Sequence, residues 1–532
     1  MQPAMASAAI PSGVIDPATM THRSRVLLFA IMAFGQFLAL LDTQIVAASL
    51  NSVQAGLSAG PDEIAWVQTS YLMAEIVMIP LSGFLARALS TRWLFAGSAA
   101  LFTLSSLLCG TATSINEMIA YRAIQGFVGG AMIPTVFAVG FTIFPPDKRA
   151  FIPGVLGLVS TLAPTLGPSL GGWITDAASW RWLFFMNIAP GLLITIAVPI
   201  LGRIDAPDLS LLKRIDWLHL AGLTFWLAGL QYVLEEGPRH DWLQDEAVAS
   251  AAWLSLVGGV VFFERCFRSD YPLVRLTPFR RPTFGIACGL NLVIGFGLYA
   301  STYLMPVFLG QVRDFSSSQI GGTIFVAGLA MGCGAPIAAR LSSRADPRIV
   351  VGVGFALFAL GLWLLSGMGP EWGFWELFIP QVVRGFAILL CIVPTVGLGI
   401  GGAAPADLRD ASGLFNLTRN LGGAVGIALV NTWLQDQARV HSLRLSEAMG
   451  AAPDAAREVL AGLAASIGGR TTDAAEALAM AQGEIGRMVA RQALTLAFDD
   501  VFARMALLFV LAIPLALLCK RPPVAAAPVS EH

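Results

Sequence analysis

Apolar runs of about twenty residues recur along this chain from Val26 to Cys519, separated by short stretches that carry glycine, proline or charge. Wound as a helix at 1.5 Å per residue, each run is long enough for a hydrocarbon layer of roughly 30 Å. Fourteen can be counted, over about 26–50, 64–86, 93–112, 117–143, 152–174, 182–201, 217–234, 246–266, 282–309, 319–341, 348–367, 375–402, 408–435 and 501–519. At 56% hydrophobic and 13% charged residues, with a mean hydropathy of +0.71, the chain is too apolar for one soluble globule to hide its side chains. The lipid bilayer is the solvent that fits, and an all-α integral membrane protein is expected. A net charge of -1 excludes a basic nucleic-acid binder. The six cysteines lie inside or at the edges of the apolar runs and read as small buried hydrophobes.

Charge in the connections sets the orientation. Apart from the long stretch after the thirteenth run, the loops that follow odd-numbered runs hold only Arg181, Arg239 and Arg313, whereas the remaining loops and both tails hold most of the Lys and Arg, including the cluster from Arg265 to Arg281. Both termini are therefore expected in the cytoplasm, and the first run is expected to be a retained span. The stretch of about 436–500, rich in Ala, Leu, Glu and Arg, predicts helices on the outer face.

The chain also echoes itself. GFLARALSTRWLF from Gly83 matches ARLSSRADPRIVV from Ala339, QGFVGGAMIPT from Gln125 faces RGFAILLCIVPT from Arg384, and SLGG at Ser169 faces NLGG at Asn420. Each pair lies eight runs apart, which implies two six-helix bundles with two extra helices between them, the architecture of a secondary transporter. The expected divisions are a tail 1–25, a bundle 26–201, a linker with two helices 202–281, a second bundle 282–519 containing the outer helical loop, and a tail 520–532.

Five ordered motifs resemble the major facilitator superfamily, and within it the fourteen-span drug:proton antiporters of the EmrB/QacA type, nearest to the EmrB branch. They are LDTQIVAASL from Leu41, RAIQGFVGGAMIP from Arg122, GPSLGGWI from Gly167, FNLTRNLGGAVG from Phe415 and RQALTLAFDDVF from Arg491. Gln44 and Asn51 stand where Thr and Pro are more usual, and after Gly83-Phe84-Leu85 the chain reads Ala86-Arg87, without the acid that the superfamily carries in that loop. The resemblance implies proton-coupled multidrug efflux. It also implies a periplasmic membrane-fusion adaptor and an outer-membrane channel as partners for the outer helical loop; a plain helical cap is the alternative.

A charged side chain at bilayer depth costs at least about 2.5–3.5 kcal/mol, so each one needs a reason. Asp42, Glu75, Arg122, Arg384 and Arg419 are in this position. Counted along the helices, Asp42 and Arg122 share a depth, and Glu75 falls on a polar stripe with Gln68 and Tyr71. A carboxylate's hold on a proton rises away from water and falls beside a guanidinium, so a pocket exposed alternately to two sides can load and release protons. Asp42 and Glu75 are the expected proton carriers, with Arg122 competing for them in one state; a static ion pair joining helices is the alternative. Gln44, Gln68, Tyr71, Gln125, Asn291, Phe296, Tyr299 and Tyr303, with Arg384, Asn416 and Arg419, are candidates to line a cavity for amphipathic substrates. For the aromatics a lipid-facing or interfacial place is the alternative, and Trp180 and Trp182 are expected to be of that kind. Gly126, Gly129, Gly130, Gly167, Gly171 and Gly172 are close-packing positions, and with Pro164 and Pro168, which bend the fifth span, they are candidates for the conformational switch.

The five histidines show no metal spacing, and Lys148, Lys213 and Lys520 sit in no phosphate-binding loop, so no cofactor or nucleotide is expected and uphill transport draws on an ion gradient, protons before sodium. An exporter or importer of a single metabolite, and a membrane sensor or enzyme, are the other readings. The chain offers no nucleophile–base arrangement for an enzyme.

Overall fold

The structure is a computed structural model that describes residues 19–451, 453–468 and 474–519. Seventeen α-helices and no strand occur among the described residues. In chain order they are α1 (His22–Ala48), α2 (Leu50–Leu57), α3 (Pro61–Leu89), α4 (Thr91–Thr111), α5 (Ile115–Ile143), α6 (Ile152–Ala177), α7 (Trp182–Phe185), α8 (Ile188–Leu201) and α9 (Trp217–Glu236). There follow α10 (Glu246–Arg268), α11 (Pro282–Gln311), α12 (Ser317–Arg344), α13 (Pro347–Leu365), α14 (Phe374–Gly399), α15 (Leu408–Ala451), α16 (Pro453–Gly468) and α17 (Ala474–Leu517).

Local chemistry sets the ends of these helices. Thr21, Ser114, Asp216 and Asp245 cap helix starts by accepting backbone N–H bonds that have no intrahelical partner. Ser90, with φ of 70°, turns α3 into α4 within one residue. The sixth apolar run breaks into α7 and α8 at Met186 and Asn187. Pro190, which lacks a backbone N–H, follows that break.

Every expected span falls on a helix, the sixth on α7 and α8 together. Among the described residues, twelve helical segments are long and apolar enough to cross a membrane. α6 and α15 fall outside that set because glycine, proline and polar residues interrupt them, yet both pack inside the bundles.

The packing repeats itself. α3 lies on α5 as α12 lies on α14, α4 on α5 as α13 on α14, α1 on α6 as α11 on α15, and α4 on α8 as α13 on α17. The two bundles meet where α6 touches α12 and α15 touches α3, contacts that the same symmetry exchanges. α9 and α10 pack mainly on each other, and α9 also lies against α3 and α15. α15 and α17 have 44 residues each, about 66 Å of helix, which is more than twice the thickness of the hydrocarbon layer. The segment expected on the outer face is thus largely a continuation of two spanning helices, with α16 between them in the chain. Trp180, for which the sequence suggested an interfacial place, is buried and packs against Gly56 of α2, whereas Trp182 is exposed.

Candidate functional site

Asp42 is 1% exposed in the middle of the first bundle. Arg122 of α5 donates from Nη1 to its Oδ2 at 2.6 Å, and Gln125 and Asn187 donate to its Oδ1 at 3.3 and 2.7 Å. Arg122 also donates to Gln125 Oε1 at 2.8 Å and to the Val67 carbonyl at 3.3 Å, and its guanidinium lies 4.2 Å from the centre of the Tyr71 ring. Asn187 is held in turn by Ser106 Oγ at 3.0 Å. α5 and the break between α7 and α8 thus supply the carboxylate's donors, and α3 and α4 hold those donors in place. The buried ion pair is closed on all sides by protein and does not line the large cavity.

That cavity, of about 390 Å³, lies between the bundles in the half of the molecule where α9 ends. Its wall is mostly apolar and carries Gln44, Gln68, Glu75, Tyr299 and Tyr303 from among the sequence candidates, with Pro164 and Pro168 of α6. Glu75 is 6% exposed and has neither a hydrogen-bond partner nor an ion-pair partner among the described residues. The inserted helix α9 adds Gln231 and Glu235, which sequence reasoning passed over. Their spacing of four in an apolar helix, one face of α9, was the available signal.

The other candidates stand away from this wall. Tyr71 and Gln125 pack on Arg122, as above. Asn291 donates to the Phe415 carbonyl at 2.6 Å, tying α11 to α15. Phe296 is buried beside Gly426. Asn416 accepts from Arg419 at 2.9 Å, and Arg419 reaches across the bundle interface to Ser160 Oγ at 3.4 Å. Arg384 donates to Gln381 at 2.6 Å, and its Nε and Nη1 have no hydrogen-bond partner among the described residues. The repeat aligns Gln125 with Arg384, so each bundle holds an Arg–Gln pair three residues apart, in opposite order; only the first bundle adds a carboxylate.

The switch candidates pack backbone against backbone. A Cβ on Gly126 would lie 2.2 Å from the Tyr71 carbonyl oxygen, and one on Gly171 would lie 2.8 Å from that of Ile45. Gly130 faces the Glu75 carbonyl, Gly129 faces the Tyr71 hydroxyl, and Gly167 lies on Gln44; Gly172 is buried in the same stretch of α6. α5 and α6 therefore hold α3 and α1 at the closest approach two helices allow.

The end of the molecule where α3 finishes is held shut by charge. Arg87 of α3 pairs with Asp410 of α15. Asp205, between α8 and α9, accepts from the Thr91 N–H and hydroxyl at 2.8 and 2.6 Å and from Arg409 at 2.7 Å. Two acids distant in sequence thus bind this end across the bundles, where the loop itself carries Ala86.

Known proteins place this architecture. The sequence matches the Major Facilitator Superfamily over residues 32–427. It is 41% identical over 481 residues to the colistin resistance protein EmrB of Acinetobacter baumannii, covering 90% of this chain and 93% of that protein. It is 27% identical over 505 residues to the multidrug export protein EmrB of Escherichia coli K12, covering 93% and 96%. Among solved structures, the human organic anion transporter MFSD10 superposes with a TM-score of 0.54 at 17% identity, covering 92% of this chain and all of that one, a likeness of fold alone. The chain belongs to the major facilitator superfamily, as a multi-pass membrane protein of the EmrB type within the drug:proton antiporters.

Proposed function

We propose that this protein exports lipophilic and cationic compounds in exchange for protons, and that the structure is its outward-open or outward-occluded state. The observation that carries the reading is Glu75, buried and unpartnered on the wall of a largely apolar cavity. A carboxylate in such a place is neutralised either by a proton or by a cation, and a site that takes one or the other is an exchanger. Asp42, enclosed with Arg122 behind the cavity, is the second proton group; it takes up a proton only when Arg122 changes partner, and the return of Arg122 drives the proton off. Gln44, Gln68, Tyr299 and Tyr303 orient the substrate. Relatives whose names carry multidrug export and colistin resistance support this breadth.

The topology that goes with the reading has both termini in the cytoplasm of a cell whose inner membrane holds the chain, so the end closed by Arg87–Asp410 faces inward. The long α15 and α17 then stand outside, where a periplasmic adaptor leading to an outer-membrane channel docks.

The deciding experiment is substrate-induced proton release from the purified protein in detergent, compared with Asp42→Asn and Glu75→Gln. The wild type releases protons when a substrate binds, and each variant releases fewer. Unchanged release in both variants would overturn the coupling assignment. Flux of a labelled substrate in inverted vesicles separates export of many compounds from transport of one metabolite by direction and range.

A further inference from the structure

Adjacent glutamates at the end of α9 have different surroundings. Glu236 is buried and structural: it accepts from Thr69 Oγ1 of α3 at 3.0 Å and pairs with Arg239 at 3.5 Å. Trp66 of α3 packs on Tyr232 in a tilted pair with ring centres 5.5 Å apart. These two contacts fix how α9 is turned against α3. Once that rotation is set, Gln231 and Glu235, one helical turn apart, face the cavity. Glu235 has neither a hydrogen bond nor an ion pair with any described residue, and Arg239, the cation on the same wall, is already engaged by Glu236. The cavity therefore holds two carboxylates without partners, Glu75 from the first bundle and Glu235 from the inserted pair.

We propose that Glu235 is the anchor for a substrate's positive charge, and that the inserted helix α9 is a wall of the transport site. The inference rests on the export reading above and divides labour within it. Glu75, deep and nearly inaccessible, exchanges protons. Glu235, half-buried near the end of its helix, is the more accessible of the two and meets the cation first. A substrate with a cationic head and a flat apolar body satisfies the geometry: its head is held by Glu235 and its body by Tyr299, Tyr303 and the aliphatic wall.

The test uses the full-length protein in detergent, with ethidium as the cationic probe and 6-phenylphenanthridine as an uncharged ring system of similar shape. Wild-type protein binds ethidium more tightly than the uncharged ring. Glu235→Gln weakens ethidium binding about tenfold or more, the size of one charge-assisted contact, and leaves the uncharged probe unaffected. Glu235→Asp, which keeps the charge, retains the preference. Glu236→Gln lowers the melting temperature through the α9–α3 contact without changing the preference. The proposal is overturned if Glu235→Gln binds ethidium as the wild type does, if it loses both probes equally, or if the wild type shows no preference for the cation. Ethidium flux into acid-loaded proteoliposomes is measured in parallel: a wild type that binds ethidium with the stated preference but does not move it sinks the export reading and leaves the charge anchor standing.

Discussion

Arg122 and Asp42 meet at 2.6 Å inside the first bundle, with both side chains fully enclosed. Such a pair is costly to break from one side only, since the remaining charge is left buried without its partner. Arg122→Ala is expected to destabilise the purified protein by about 3–5 kcal/mol. Asp42→Asn costs less, because Arg122 keeps Gln125 and the Val67 carbonyl. The double variant Asp42→Asn with Arg122→Ala recovers much of the loss, since no charge is then left buried alone. Melting temperatures of the four proteins check the cycle; a double variant no more stable than Arg122→Ala contradicts it.

The inter-bundle pair Arg87–Asp410 and the bridge through Asp205 predict a bias between conformations. Asp410→Asn or Asp205→Asn is expected to increase the population open at that end. Spin labels on Lys148→Cys and Ser343→Cys in a Cys333→Ser background report it as growth of a longer distance component. Distance distributions that match the unsubstituted background would show that these acids do not hold the end closed.

Equivalent glycines in the two repeats make a paired prediction. A Cβ on Gly126 would lie 2.2 Å from the Tyr71 carbonyl oxygen, and one on Gly385 would lie 2.3 Å from that of Ala327. Backbone atoms of a packed helix do not step aside, so Gly126→Ala and Gly385→Ala each cost about 1–3 kcal/mol. Gly322→Ala and Gly397→Ala, which meet open space, are neutral or slightly stabilising through helix propensity. Thermal melts of the four variants distinguish the two classes.

Deletion of residues 450–490 tests the proposed docking of an adaptor on the segment between α15 and α17. Adaptor cross-linking is expected to disappear while ethidium export by the reconstituted protein persists. If resistance in cells also survives the deletion, docking is dispensable for export.

Much of the fold was legible because the bilayer requires long apolar helices and the repeats give their pairing. The partnership of Asp42 and Arg122 was legible from depth alone, since two opposite charges at one level in a hydrocarbon layer find each other. Asn187 was not, because an amide beside a helix break carries no charge to mark it. Glu235 stood too close to the end of its run to look expensive. The ties at the closed end were hidden because Arg87 and Asp410 are 323 residues apart, and spacing along a chain says nothing about such a contact. The continuity of α15 and α17 was hidden because hydropathy stops at the membrane surface whereas helix-forming residues continue beyond it.

That continuity has a mechanical consequence. About 36 Å of each 44-residue helix extends past the hydrocarbon if the remainder crosses it. A tilt of the second bundle by about 10° would sweep the tip of such a rod through about 6 Å. The mast amplifies a small rocking motion below it into a displacement that a neighbouring molecule can feel, so whatever grips the tip is mechanically informed of the pump's cycle.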